Sequence, residues 1–266
     1  MNHALANRSA NAVFLAYHSV AERGAPFLTV SPKLFERHLA TLRRLRFRSG
    51  TFEDLAVVAR GERLPARTVF LTFDDGYRDN HSTAMPLLKE YGFRPLVFLL
   101  PRHVDGGLPF DWPEVAGHCA DHPDEFRSLT WPEVDEMAGE GAQFGAHTLT
   151  HPHLCTLDDE SLATELGQAR ALVADRLGRC DTLAYPFGQW DERVERAAAA
   201  AGYDFAFSLP QGPQEAARPR CIPRVNVDLR DNRARFAFKL SPIGRTLLLS
   251  SFGDRMRDLR RLRRQR

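Results

Sequence analysis

The stretch TVFLTFDDG, residues 68–76, runs an apolar, β-favouring segment straight into two adjacent carboxylates and a glycine. A short apolar run bounded by a turn signal is the pattern of a strand buried on both faces, and Asp-Gly supplies the turn that ends it. A strand-end turn explains one aspartate. The second, Asp74 beside Asp75, asks for a chemical reason.

Similar runs recur at residues 13–17, 96–100, 143–146, 182–185 and 204–208. Between them lie helical patterns. Residues 32–45 carry Leu34, Phe35, Leu39, Leu42 and Leu45 at near-helical spacing, and residues 161–177 do the same with Leu162, Leu166, Ala169, Leu172, Val173 and Leu177. Thr130-Trp131-Pro132-Glu133 predicts a helix start, with Thr130 as cap, Glu133 completing a capping box and Pro132 in the first turn. Strands alternating with helices imply an α/β fold with a parallel sheet. Six or more such units in 266 residues favour a (β/α) barrel over an open sheet. No repeat or low-complexity linker breaks the pattern, so we read one barrel domain over residues 1–230 and a C-terminal extension over 231–266.

The apolar fraction of 43% suffices for a core of this size, and a net charge of +2 argues against a nucleic-acid binder with a basic surface. Cys119, Cys155, Cys180 and Cys221 form no Cys-x-x-Cys pair, which excludes a zinc knuckle and fits free thiols in a reducing compartment. The N-terminus shows no basic region leading into a long apolar one, and no run reaches the roughly 18 apolar residues of a membrane span. The expectation is a soluble, cytoplasmic chain. Residues 254–266 hold seven arginines and two aspartates, with Met256, Leu259 and Leu262 three apart. They read either as a basic amphipathic helix on the anionic inner face of a membrane or as a solvated charged helix.

In a parallel barrel the reactive side chains gather at the C-terminal ends of the strands. His18, Asp74 and Asp75, His147, and Pro186-Phe187-Gly188 all occupy such places. His147 and His151, four apart, can address one ion, and with a carboxylate they make a two-histidine, one-carboxylate site with open positions. Spacing alone leaves His153 and Cys155 as alternative ligands.

Together, TFDDG at 72–76, GAHTLTH at 145–151 and AYPFG at 184–188 resemble the polysaccharide deacetylase family (NodB homology, carbohydrate esterase 4) over roughly residues 10–230. LAYHSV at 15–20 and VSPKLFERHLATLRRLRF at 30–47 are similar to the subgroup containing the poly-N-acetylglucosamine deacetylases, whose motifs are circularly permuted with a strand-end histidine first. The resemblance implies a distorted, seven-stranded (β/α) barrel. It implies a divalent metal, zinc by preference, held by Asp75, His147 and His151, with Asp74 as general base. It also implies an oxyanion-binding backbone N–H at Tyr185 and, from the permuted subgroup, His18 as general acid. AYPFG lacks the arginine that many members pair with the base, and Arg224 in CIPRVNV (221–227) is the expected substitute.

Trp112, Pro186, Phe187 and Trp190 are expected to face a sugar, with Trp190 the better stacking platform and Trp131 packing in its helix. The implied activity is metal-dependent removal of an N-acetyl group from an amino sugar in a polysaccharide, oligosaccharide or lipid-linked saccharide. Other readings are hydrolysis of a different non-peptide amide, such as a formyl amide, on the same fold, and a carbohydrate-binding protein without catalysis.

Overall fold

The computed structural model describes residues 12–60, 62–210 and 218–249; the basic segment 254–266 lies outside them. The strands are β1 (Ala12–Tyr17), β2 (Ser19–Val20), β3 (Thr29–Val30), β4 (Arg48–Ser49), β5 (Thr68–Phe73), β6 (Pro95–Leu99), β7 (Gln143–Ala146), β8 (Thr182–Ala184), β9 (Phe205–Ser208), β10 (Ile222–Pro223) and β11 (Val225–Asn226). The helices are α1 (Pro32–Arg44), α2 (Phe52–Ala59), α3 (Met85–Tyr91), α4 (Ala116–Asp121), α5 (Trp131–Gly139), α6 (Asp159–Leu177), α7 (Glu192–Ala200), α8 (Arg233–Leu240) and α9 (Pro242–Leu248). A π-helical turn, Asn80–Ala84, precedes α3. No described helix is long and apolar enough to cross a membrane.

The main sheet follows the order β10-β9-β8-β7-β6-β5-β1-β11, with β4 alongside β5, and all its pairings are parallel. The first and last strands of that path are separated in sequence by Arg224 alone, so one chain segment meets both β9 and β1. Arg224 N–H donates to Ser208 O at 3.0 Å and Val227 N–H to Ala16 O at 2.9 Å, which brings the sheet to near closure as a barrel. The path therefore has eight strands where seven were expected. The closing stave is broken at Arg224 into two short strands, each serving a different neighbour.

Side-chain alternation builds two cores. Ala12 and Phe14, Phe70, Leu96 and Phe98, Ala184, Phe205 and Phe207, and Ile222 form one cluster, joined by Leu55 and Leu64. Its rings interlock across the barrel: Phe14 stacks on Phe70 at 4.6 Å and meets Phe207 at 5.7 Å, and Phe98 meets Phe207 at 5.3 Å. The intervening residues, such as Leu15, Tyr17, Leu71, Phe73, Val97 and Leu99, face outward onto Phe35 and Leu39 of α1, Met137 of α5 and Leu166 of α6. Helices therefore cover the outer face while side chains fill the inner one, which is why β1, β5 and β6 are buried throughout.

The local signals act as expected. Thr130 and Glu133 form the capping box of α5, and Asp158 caps α6 by accepting from Ser161 N–H at 2.7 Å. Part of the expected extension packs on the barrel: Phe236 of α8 is buried and stacks on His38 of α1 at 4.0 Å.

Gly145 lies on the inner face of β7, where an added Cβ would sit 2.2 Å from Thr182 Oγ1 and 2.7 Å from Thr182 O. Backbone cannot yield as a side chain can. Gly145→Ala should lower stability by about 1–3 kcal/mol, read as an earlier urea midpoint with an unchanged slope.

Candidate active site

The inner-face parity of the strands places the first polar side chains. Phe70, Thr72 and Asp74 continue one face of β5, and Ile222 and Arg224 share the inner face of the closing segment. Arg224 is fully buried and grips Asp74 with two hydrogen bonds, Nη1 to Oδ1 at 2.6 Å and Nη2 to Oδ2 at 2.8 Å. Nη1 also donates to Thr72 Oγ1 at 2.9 Å, and the guanidinium lies over Phe98 at 5.4 Å. Burial alone would raise the Asp74 carboxyl. Arg224, with His147 and His18, outweighs it and holds Asp74 well below the usual carboxylate range.

His18, following β1 on the same inner face, brings Nε2 to 3.9 Å from Asp74 Oδ2. Burial lowers its pKa to about 4, with Asp74 opposing and Arg224 adding to the shift, so the ring is neutral at pH 7.

Asp75 leaves the strand in the left-handed region (φ 69°), followed by Gly76 (φ 68°), and this turn carries its carboxylate away from the Arg224 grip. Asp75 Oδ1 lies 3.4 Å from His147 Nε2 and 3.6 Å from His151 Nε2, and the three ligand atoms fall within 4.8 Å of one another. His147 donates from Nδ1 to Ala184 O at 2.8 Å, which leaves the Nε2 lone pair toward Asp75.

The donor set fits a divalent cation on three counts. Asp75 Oδ1 is buried with no hydrogen-bond partner. Burial lowers the pKa of both histidines, keeping them neutral as ligands. Burial and the Asp74 charge push the Asp75 carboxyl up, a cost that a bound cation would offset. His153 is instead half-exposed, bonded to Gln189 Oε1 at 3.0 Å and stacked on Phe187 at 4.0 Å, and Cys155 is an exposed free thiol.

The turn between the two histidines has a support that the sequence did not disclose. Thr148 and His151 both adopt positive φ, 72° and 65°. Glu165 of α6 accepts from Leu149 N–H at 2.9 Å, Thr150 N–H at 3.0 Å and Thr150 Oγ1–H at 2.6 Å, holding this strained loop. The only sign of it in the sequence is a carboxylate set beside the buried Leu162 and Leu166.

Of the expected sugar-facing residues, Trp112 stacks on His151 at 4.2 Å, and Phe187 meets the same ring edge-on at 4.6 Å. Pro186 is buried and opens the turn Pro186–Gly188 that presents Phe187. Trp190 does not join them: it packs against the outer core with Arg218 over its ring at 5.4 Å. Trp131 packs on that core too, as expected for a helix's first turn. Tyr185 is also corrected. Its N–H donates to Phe207 O at 2.9 Å in the ladder to β9, and strand parity turns its ring outward, where the hydroxyl donates to Arg220 O at 3.0 Å. It offers no donor to an oxyanion.

A model of the polysaccharide deacetylase family matches residues 61–206, more than half of the chain. The chain belongs to the polysaccharide deacetylase family. YxkH of Bacillus subtilis (strain 168) is 27% identical over 200 residues, covering 74% of this chain and 64% of that protein. The chitooligosaccharide deacetylase of Rhizobium leguminosarum bv. trifolii is 28% identical over 140 residues, covering 51% of this chain and 54% of that one. Both alignments thus span less than two thirds of the relative. Solved structures share the fold, the following two among them. The deacetylase PplD of Streptococcus pyogenes aligns with a TM-score of 0.73 at 20% identity, over 86% of this chain and 98% of that one. IcaB of Ammonifex degensii aligns with a TM-score of 0.68 at 21% identity, over 87% and 97%. Asp74, Asp75, His147 and His151 fall inside the family match, whereas His18 and Arg224 fall outside it and reach the site through barrel closure.

Two outcomes follow from this geometry. Glu165→Ala should weaken divalent-metal affinity about 10–100-fold with little change in thermal midpoint, measured by competition with a chromogenic chelator. Partly buried Asp79, in the loop after β5, has its pKa raised by burial from 3.8 to about 6, with hydrogen bonds from Ser19 and Val20 opposing. The folded chain thus holds a proton that the unfolded chain releases, so this residue's stabilising contribution falls as pH rises through that interval. Between pH 5 and pH 7 the wild type should lose about 1 kcal/mol relative to Asp79→Asn, measured by urea unfolding at both pH values.

Proposed function

We propose that this member of the family is a metal-dependent hydrolase that removes the N-acetyl group from an amino-sugar residue of a saccharide. The observation that carries the proposal is the division of labour between adjacent carboxylates: Asp74 is held ionised by Arg224, while Asp75 converges with His147 and His151. One carboxylate is thus free to take a proton while its neighbour is a ligand. Zinc suits the two-histidine, one-carboxylate donor set, which leaves positions for water and substrate.

When bound, the cation would acidify its water and polarise the amide carbonyl. Asp74 accepts the proton that water loses on attacking the carbonyl carbon. A carboxylate held so low is a weak base and would suffice toward a water that a bound cation had acidified. The amide nitrogen must be protonated before the C–N bond breaks. His18 is neutral at rest, so it serves as general acid only after taking up a proton; Asp74 Oδ2 lies 3.9 Å from Nε2, and the proton taken up by Asp74 reaches His18 through one water or on closure of that gap to hydrogen-bond distance. Trp112 and Phe187 flank His151 and form an apolar wall suited to the acetyl methyl or a sugar face.

Purified wild-type protein should carry about one zinc per chain by mass spectrometry and release acetate from N-acetylglucosamine oligomers, the count following from the single triad among the described residues. His147→Ala should lose both. Metal retained at full occupancy in the variant would remove the triad from the proposal; bound metal without acetate release would redirect it to another amide.

A further inference from the structure

His18 is set in place without any hold on its ring. It is 8% exposed, its Nδ1 is buried with no partner, and the 3.9 Å from Nε2 to Asp74 exceeds a hydrogen bond. An imidazole in that state points wherever its backbone points. The backbone of residues 18–20 is gripped from the far end of the TFDDG loop. Asn80 Nδ2 donates to His18 O at 2.8 Å, Ser19 Oγ donates to Asp79 Oδ2 at 2.7 Å, and Val20 N–H donates to Asp79 Oδ1 at 2.9 Å. Asn80 Nδ2 also donates to Asp79 Oδ1 at 3.0 Å, tying the two side chains into one clamp.

We propose that Asp79 and Asn80 are positioning residues that fix His18 for proton transfer, an inference that rests on His18 being the general acid. The loop that carries Asp74 and Asp75 continues within four residues to Asp79, so a single segment sets the base and one ligand and also holds the acid's backbone. On its N-terminal side His18 continues β1, where Tyr17 O accepts from Asp74 N–H at 3.0 Å; on its C-terminal side β2 pairs only with the two-residue strand β3, so there the clamp is the main hold on the backbone. Asn80 is 1% exposed and leaves Oδ1 buried without a partner, a cost that a side chain serving packing alone would not carry. The clamp's side-chain hydrogen bonds to the rest of the chain go to residues 18, 19 and 20 and to none of the metal-site triad.

A double-mutant cycle on the full chain tests this through acetate release from N-acetylglucosamine oligomers. Asn80→Ala should lower kcat about tenfold or more with KM nearly unchanged, and should have almost no effect in a His18→Ala background. Asp79→Ala should behave the same way. Asp79→Asn, whose amide oxygen still accepts from Val20, should recover most of the rate. Equal losses in both backgrounds would make the clamp merely structural and overturn the inference; full activity in His18→Ala would sink the acid assignment itself. Crystal structures provide a readout independent of turnover. A His18 ring displaced by about 1 Å or more in Asn80→Ala or Asp79→Ala, with the Arg224–Asp74 pair unmoved, supports the clamp, and an unmoved ring refutes it.

Discussion

The buried pair between Arg224 and Asp74 is the contact on which both the barrel and its chemistry depend. A fully buried guanidinium is tolerable only with its charge met and its donors engaged. Two hydrogen bonds to Asp74, a third to Thr72 and the faces of Phe98 and Phe207 supply that environment. Arg224 sits at the break between β10 and β11, where one segment turns from β9 toward β1. The guanidinium therefore ties the closing stave to the end of β5, across the end of β1 where His18 stands. Removing one partner from a buried pair of this kind costs about 3–5 kcal/mol, so closure and the ionisation of Asp74 stand or fall together.

That pair also explains how two successive aspartates differ so much. Asp74 extends the alternation of β5 and points inward to Arg224. Asp75 breaks the alternation by entering the left-handed region, at a steric cost of its own, and Gly76 continues the turn in the same region. One residue of chain separates a carboxylate held ionised by a cationic neighbour from one that burial and the Asp74 charge make costly to ionise. Similar strain recurs at Thr148, His151 and Phe187, each in a loop at the same mouth.

Much of this was legible in the sequence because the relevant signals are local. Apolar runs marked every long stave but not the broken closing one at 222–226, Thr130 and Glu133 marked a helix start, and the polar residues at strand ends marked the mouth. Where the reading failed, the deciding fact was three-dimensional. Tyr185 follows a strand like the others, yet one step of parity separates it from the inner face that Ala184 occupies, and its N–H belongs to a ladder whose partner is 22 residues on at Phe207. Trp190 follows a promising turn, but its ring packs half-buried against the outer core beneath Arg218. Glu165 sits in an ordinary helical pattern, and nothing in its neighbours reveals that three donors from another loop converge on it.

Barrel closure finally makes chain order nearly irrelevant to the site. His18 comes from the start of the chain and Arg224 from near its end, outside the segment that identifies the family, yet β11 pairs with β1 and β1 with β5. On a ring of parallel staves, the residues at neighbouring C-terminal ends converge whatever their separation in sequence. A histidine supplied by the first stave and a guanidinium supplied by the last can thus reach the pair of aspartates that follows the fifth strand. This is the physical reason that a permuted order of motifs is compatible with one arrangement of groups, and that a short motif read alone, such as TFDDG, describes only part of the centre it belongs to.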